Sequence, residues 1–261
     1  MSEDRASRNQ VFGSAAMAQD GIPARDVMKD DFGWEVPVES VPVPSGGKIY
    51  APSTNLHGVS TIDIKAMTAQ EEDILTSRAL IRKGIVLSKL IESCVIDKNI
   101  DTRHMVAGDR NALMIAIRVT GYGSEYKTDI TCPSCSHRQP YEFDLGELAI
   151  VPLEIDPVTP GENRFSYTLP VTKKKVEFKF LTGVDEEEMT AEAEKMRQIM
   201  PDREITNNVT RNLEKSILSI DGVTDRVKIT LFIKQMPARD SRMLRQYMER
   251  NEPGIDMTTT M

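Results

Sequence analysis

Apolar and polar positions alternate from Val59 to Met67, in the run STIDIKAM, and predict a strand with Ile62 and Ile64 turned inward. Directly behind it, Thr68 and Glu71 have the spacing of a capping box: the hydroxyl takes a free first-turn amide and the carboxylate returns to the cap. That start opens a helical segment running to about Asp97, where Ile74, Leu75, Ile81, Ile85, Leu87, Leu90, Ile91, Cys94 and Val95 fall near helical spacing. Gly84 in its middle marks a bend or a break, since a mid-helix glycine costs about 1 kcal/mol relative to alanine. Cys94 lies on the apolar stripe and reads as a core thiol. Asp109 is the cap candidate for a second apolar helix, NALMIAIRVTG, whose Leu113, Met114, Ile115 and Ile117 leave little polar surface before Gly121 and Gly123 stop it. Its single charge, Arg118, is read as snorkelling to the helix edge, with an acid such as Glu125 as the alternative partner.

Two short alternating runs, Tyr126 to Thr131 and Gln139 to Asp144, flank Cys132-Pro133-Ser134-Cys135 and predict a β-hairpin whose turn is a metal knuckle. After a Pro-rich acidic connector, Val151 to Pro160, a second hairpin follows. RFSYTL from Arg164 pairs with KVEFKFL from Lys175, and Val176, Phe178 and Phe180 share one face. Thr182 and Asp185 begin an acidic helix to about Met200, and Glu186, Glu187 and Glu188 read as a solvated cap that favours the helix dipole. Thr206 or Asn207 caps a further helix with Val209, Leu213, Ile217, Leu218 and Ile220, ended by Asp221-Gly222. Val223 to Ile233 fits a strand or a helix equally. Pro237 breaks it, and Asp240 caps SRMLRQYMER, where Met243, Leu244, Tyr247 and Met248 line one face.

Helical periods and two separate hairpins, without a βαβ series, make an α+β fold. The division is a mostly extended N-terminal tail over 1–40, a helical body with the knuckle hairpin over 41–150, and the second β-hairpin plus C-terminal helices over 151–261. The tail has no sustained period, but FGWEVPV sets Phe32, Trp34 and Val36 on one side of an extended stretch. Phe and Trp are costly to leave in water, so the tail either anchors to a neighbouring chain or docks back on its own domain; on the first reading these three residues, with Met243, Tyr247 and Met248 of the last helix, are the candidate contacts for self-association or a partner.

Composition narrows the function classes. With 39% hydrophobic and 28% charged residues the chain is globular, and 14 Met against 5% aromatics predict an adaptable aliphatic core. A formal charge of −7 argues against nucleic acid as partner. No apolar span is long enough to enter a membrane. Three Cys make no disulfide framework, which suits a reducing cytoplasm. Gly47-Lys48 lacks the P-loop pattern, no His is followed by x-Glu as a zinc deaminase needs, and no nucleophile elbow occurs, so no enzyme is expected.

One C-x-x-C supplies two thiolates, whereas a closed structural zinc site wants four donors. Cys132 and Cys135, with His137 as a third donor, therefore form an incomplete site, and a structural zinc is the only cofactor they suggest. A thioredoxin-like pair would sit at a strand-to-helix junction, but here a strand follows. A C-x-x-C redox enzyme thus ranks below a zinc-ribbon-like binding protein of the transcription type.

Several segments resemble a known family when taken together: PSGGKIY at Pro44 to Tyr50, IKAMTAQEEDIL at Ile64 to Leu75, ESCVID, GYGSEYKTDITCPSC, FDLGEL, and PGID at Pro253 to Asp256. Their order and spacing over roughly 41–256 resemble the baseplate hub assembly family of T4-type contractile-tailed bacteriophages. The resemblance implies a non-enzymatic structural or assembly protein of the hub, with other baseplate or hub proteins as partners. It implies a place in the host cytoplasm during assembly and in the virion tail baseplate. It also implies a second C-x-x-C soon after PGID; the sequence departs from that pattern, which means either that no zinc is held here or that the chain is truncated before that element.

Overall fold

A computed structural model describes residues 28–29, 35–131, 135–199 and 208–257, and in them the α+β expectation holds. Strand β1 (Met28–Lys29) pairs with β2 (Glu35–Val36), and β3 (Val38–Pro42) pairs antiparallel with β4 (Thr61–Lys65). In β4 the period of two buries Ile62 and Ile64, as their alternation predicts. Between β3 and β4 the chain turns through Gly46 and Gly47, both at positive φ. A Cβ on Gly47 would lie 2.4 Å from the Val59 amide, so only glycine fits there.

The capping box at Thr68 opens α1 (Ala69–Thr76) as expected, with the Thr68 amide donating to Glu71 Oε2 at 2.9 Å. The expected single segment to Asp97 is instead three helices, α1, α2 (Arg78–Lys83) and α3 (Val86–Cys94). Gly84 makes one break by adopting the left-handed conformation, and extended Ser77 makes the other. The segment stops short of Asp97 because Val95 is drawn into a β-bridge with Ile64.

Helix α4 (Ala107–Tyr122) buries Ala112, Leu113, Ala116 and Ile117, so it is the apolar helix the pattern predicts. Its N-cap is Val106, however, and its first amide donates to Leu181 O. Asp109 is therefore not the cap: it sits inside the first turn and only 1% of it is exposed. Arg118 reaches the exposed C-terminal edge of the helix, where it donates to the Gly123 carbonyl at 3.0 Å and lies over the Tyr122 ring; it meets Glu125 only at the backbone carbonyl, at 3.5 Å.

Beyond α4 come β5 (Glu125–Thr131) and β6 (Arg138–Asp144), paired over their full length, then β7 (Ile150–Val151). Strands β8 (Phe165–Thr168) and β9 (Lys175–Phe178) form the second hairpin, and Val176, Phe178 and Phe180 are buried as predicted. Helices α5 (Gly183–Ile199) and α6 (Asn208–Ser216) follow, and α6 departs from expectation. It ends at Ser216, and Ile217–Ile220 is strand β10, the third strand of a sheet ordered β10-β9-β8. An irregularity between Ile217 and Ser219 lets Ile217, Ser219 and Ile220 all be buried.

The ambiguous run resolves as α7 (Arg226–Gln235), with Asp225 accepting the Val227 and Lys228 amides as its N-cap. Pro237 precedes α8 (Ala238–Asn251), and β11 (Gly254–Ile255) returns to pair with β7 across the start of α4. The approach there is close, since a Cβ on Gly108 would lie 1.6 Å from Pro253 O. Residues from Val41 through Leu244 thereby share one apolar core.

Candidate functional site

The β5–β6 hairpin is an amphipathic arm. In an antiparallel pair directly opposed residues share a face, so Tyr126 with Phe143, Thr128 with Tyr141, and Ile130 with Gln139 make one uncharged side. Tyr141 and Phe143 have ring centroids 4.6 Å apart, and Tyr126 is 44% exposed. The opposite side carries ions, with Arg138 to Asp129 at 3.1 Å and Lys127 to Glu142 at 3.5 Å. Such exposed pairs add little stability.

At the arm's tip Cys135 is a free, exposed thiol and His137 is exposed. Cys132 lies outside the described residues. Among the described residues no group of three His, Cys, Asp or Glu could hold a metal ion. Cys94 is the buried core thiol expected; burial first, and then the Glu71 charge, push its pKa up to about 11. It is therefore protonated at neutral pH and not a nucleophile.

Of the candidate contact residues, Phe32 and Trp34 lie outside the described residues, and Val36 is half-buried in β2. On α8, Met243 is 37% exposed. Tyr247 turns inward, stacking on Tyr167 at 4.5 Å and meeting Phe178 edge-on, and Met248 packs against the core.

Three aspartates at helix starts do more than sequence showed. Asp109 accepts the Ser45 amide at 2.8 Å, Ser45 Oγ at 2.6 Å and the Tyr50 hydroxyl, pinning the Pro44–Tyr50 turn to α4. Asp240, expected to cap α8, is buried inside its first turn and accepts the Val171 and Thr172 amides at 2.7 and 2.9 Å. It thus holds the loop of the β8–β9 hairpin. Asp185 is also buried, and takes Lys179 at 2.7 Å with the Thr182 amide. The acidic start of α5 is accordingly not a solvated cap throughout, since Glu187 also takes Arg103 at 2.7 Å. The partners of Asp109, Asp240 and Glu187 come from distant segments that no local spacing signals, whereas those of Asp185 are near neighbours in the chain.

A cleft of about 430 Å³ lies between α5 and α6, lined by Lys179, Asp185, Glu188, Glu192, Arg211 and Lys215. Its charges are satisfied by one another: Lys215 pairs with Glu188 and Glu192, and Arg211 with Glu192. Nothing in it is poised as a nucleophile beside a base.

A family model described as T4 bacteriophage base plate protein matches residues 38–259. No curated protein and no solved structure matches the chain.

Proposed function

We propose that this chain, which belongs to the T4 bacteriophage base plate protein family, serves in the hub at the centre of the baseplate and acts by protein–protein contact. Membership makes it a structural protein of the phage tail baseplate, with other baseplate proteins as partners and no enzymatic role suggested. No helix among the described residues is long and apolar enough to cross a membrane. The hub reading rests on the order of the PSGGKIY, MTAQEE and PGID segments. Assembly would begin in the host cytoplasm.

The observation that carries the contact mechanism is the aromatic side of the β5–β6 arm, on which Tyr126 is exposed and Tyr141 and Phe143 are half-buried. Tyr is enriched among residues that anchor interfaces, and truncating such an anchor costs about 2 kcal/mol or more, a factor of about thirty in affinity. With this chain as bait in a phage-infected lysate, mass spectrometry should identify hub components. The triple variant Tyr126→Ser, Tyr141→Ser, Phe143→Ser should capture about thirtyfold less of them while keeping the circular dichroism of its body. Equal capture by the variant would remove the arm from the mechanism, and capture of polymerase instead would favour the zinc-ribbon alternative.

The arm needs no metal in this reading. Cys132, Cys135 and His137 offer three donors where a closed zinc site takes four. Elemental analysis of protein purified without chelator should find well below one zinc per chain. About one zinc per chain, lost in Cys132→Ser and Cys135→Ser, would establish a site completed from elsewhere.

A further inference from the structure

We propose that α7 and α8 form a docking surface for an acidic protein segment, distinct from the arm. From Asp225 to Asn251 the chain has seven Lys and Arg against three Asp and Glu, within a protein of formal charge −7. Two of those three acids are engaged internally: Asp225 caps α7, and Asp240 is buried against Val171 and Thr172. Only Glu249 remains to offset the cations.

The cations are also unpaired. Lys228, Lys234, Arg239, Arg242, Arg245 and Arg250 are all exposed, and none makes an ion pair among the described residues. Elsewhere Arg103, Lys179, Arg211 and Lys215 each hold a carboxylate, while Arg78, Arg82 and Lys83 of α2 are exposed without an ion pair among the described residues, so it is the scarcity of acids beside them that sets α7 and α8 apart. Helical spacing puts Arg239, Arg242 and Arg245 on the side of α8 away from buried Asp240 and Leu244. Arg239, Arg242 and Arg245, three residues apart on α8, repel one another mildly in water, and the uncompensated charge attracts a partner of opposite sign at a rate that salt lowers.

The partner must also bury apolar surface. Val227 and Leu231, one turn apart on α7, are 69% and 53% exposed, and Met243 of α8 adds to them. An apolar pair at this spacing, on a helix that also presents Lys228 and Lys234, fits an amphipathic protein helix that carries carboxylates. It does not fit nucleic acid. The outward faces of both helices offer no aromatic ring for a base to stack on, and the acidic remainder of the chain repels phosphate.

The test uses the purified full chain and three probes: a labelled amphipathic peptide of Leu and Glu at helical spacing, a duplex DNA oligonucleotide, and vesicles containing anionic phospholipid. Fluorescence anisotropy should show peptide binding that weakens about tenfold as salt rises from about 50 to about 300 mM. The variant Arg242→Glu, Arg245→Glu should lose about tenfold or more, and Val227→Ser, Leu231→Ser should lose affinity with an unchanged salt dependence. Arg242→Gln, Arg245→Gln serves where charge reversal perturbs folding. Absence of peptide binding, binding indifferent to the arginines, or tighter binding of DNA or vesicles would overturn the proposal. Because no lysate is involved, this outcome is independent of the hub reading.

Discussion

Asp109→Ala should lower the free energy of unfolding by about 3 kcal/mol or more, because it strands three buried neutral donors. The carboxylate is almost wholly buried and accepts from the Ser45 amide, the Ser45 hydroxyl and the Tyr50 hydroxyl. Tyr50 Oη in turn accepts the Val106 amide at 3.0 Å, at the cap of α4. Truncation leaves three donors without an acceptor in the interior, at about 1–3 kcal/mol each before water or rearrangement relieves them. Burial pushes the Asp109 pKa up, and the hydrogen bonds from Ser45 and Tyr50 oppose it. Burial, then the charge of Asp109, push the Tyr50 pKa well up, so its hydroxyl stays a donor. Asp109→Asn keeps one acceptor oxygen but turns an amide toward those donors, and should fall between wild type and Ala. Urea unfolding followed by circular dichroism measures both. An Ala variant within about 1 kcal/mol of wild type would mean that the Pro44–Tyr50 turn is held by its backbone alone.

The same residue marks where sequence stops being informative. An Asp at the N-cap and an Asp in the first turn look alike along the chain, because both precede an apolar helix by a few positions. What separates Asp109 from a cap is Ser45, 64 residues earlier, and what separates Asp240 is the Val171–Thr172 loop, 68 or 69 residues earlier. Features set by neighbours in sequence were legible: the Thr68–Glu71 capping box, the Gly84 break, the inward Ile62 and Ile64, and the buried Cys94. Strand β10 was not. ILSI is too short a run to show its period, and its assignment depends on β9, about forty residues before it, offering an edge. For the candidate surfaces, strand alternation made the arm visible. The unpaired cations of α7 and α8 emerge only once Asp240 is known to be buried.

Glu71 should govern much of the acid limb of stability. Burial raises its pKa, but hydrogen bonds from Lys65, Ser93 and Thr68 outweigh burial and bring it down from 4.5 to about 2. Lys65 Nζ stands 2.8 Å from the carboxylate, whose side chain is fully buried, and Ser93 Oγ stands at 2.6 Å. A carboxylate whose pKa falls on folding stabilises the fold fully above its unfolded pKa, and that contribution disappears as pH drops to the folded value. The window here runs from 4.5 down to about 2. The size is roughly 3 kcal/mol, an order of magnitude from the shift. Asp185 and Asp240 are shifted the same way: burial raises each, and hydrogen bonds from Lys179 and Thr182, or from Thr172 and Val171, lower each further. Glu252, pushed up by burial, acts in the opposite sense. Glu71→Gln should therefore cost about 2–3 kcal/mol at neutral pH and flatten, without abolishing, the decline between pH 4.5 and about 2. Chemical denaturation at a series of pH values reads both effects. If the variant and the wild type lose stability in parallel across that window, Glu71 is not the group being titrated, and its capping box contributes by geometry alone.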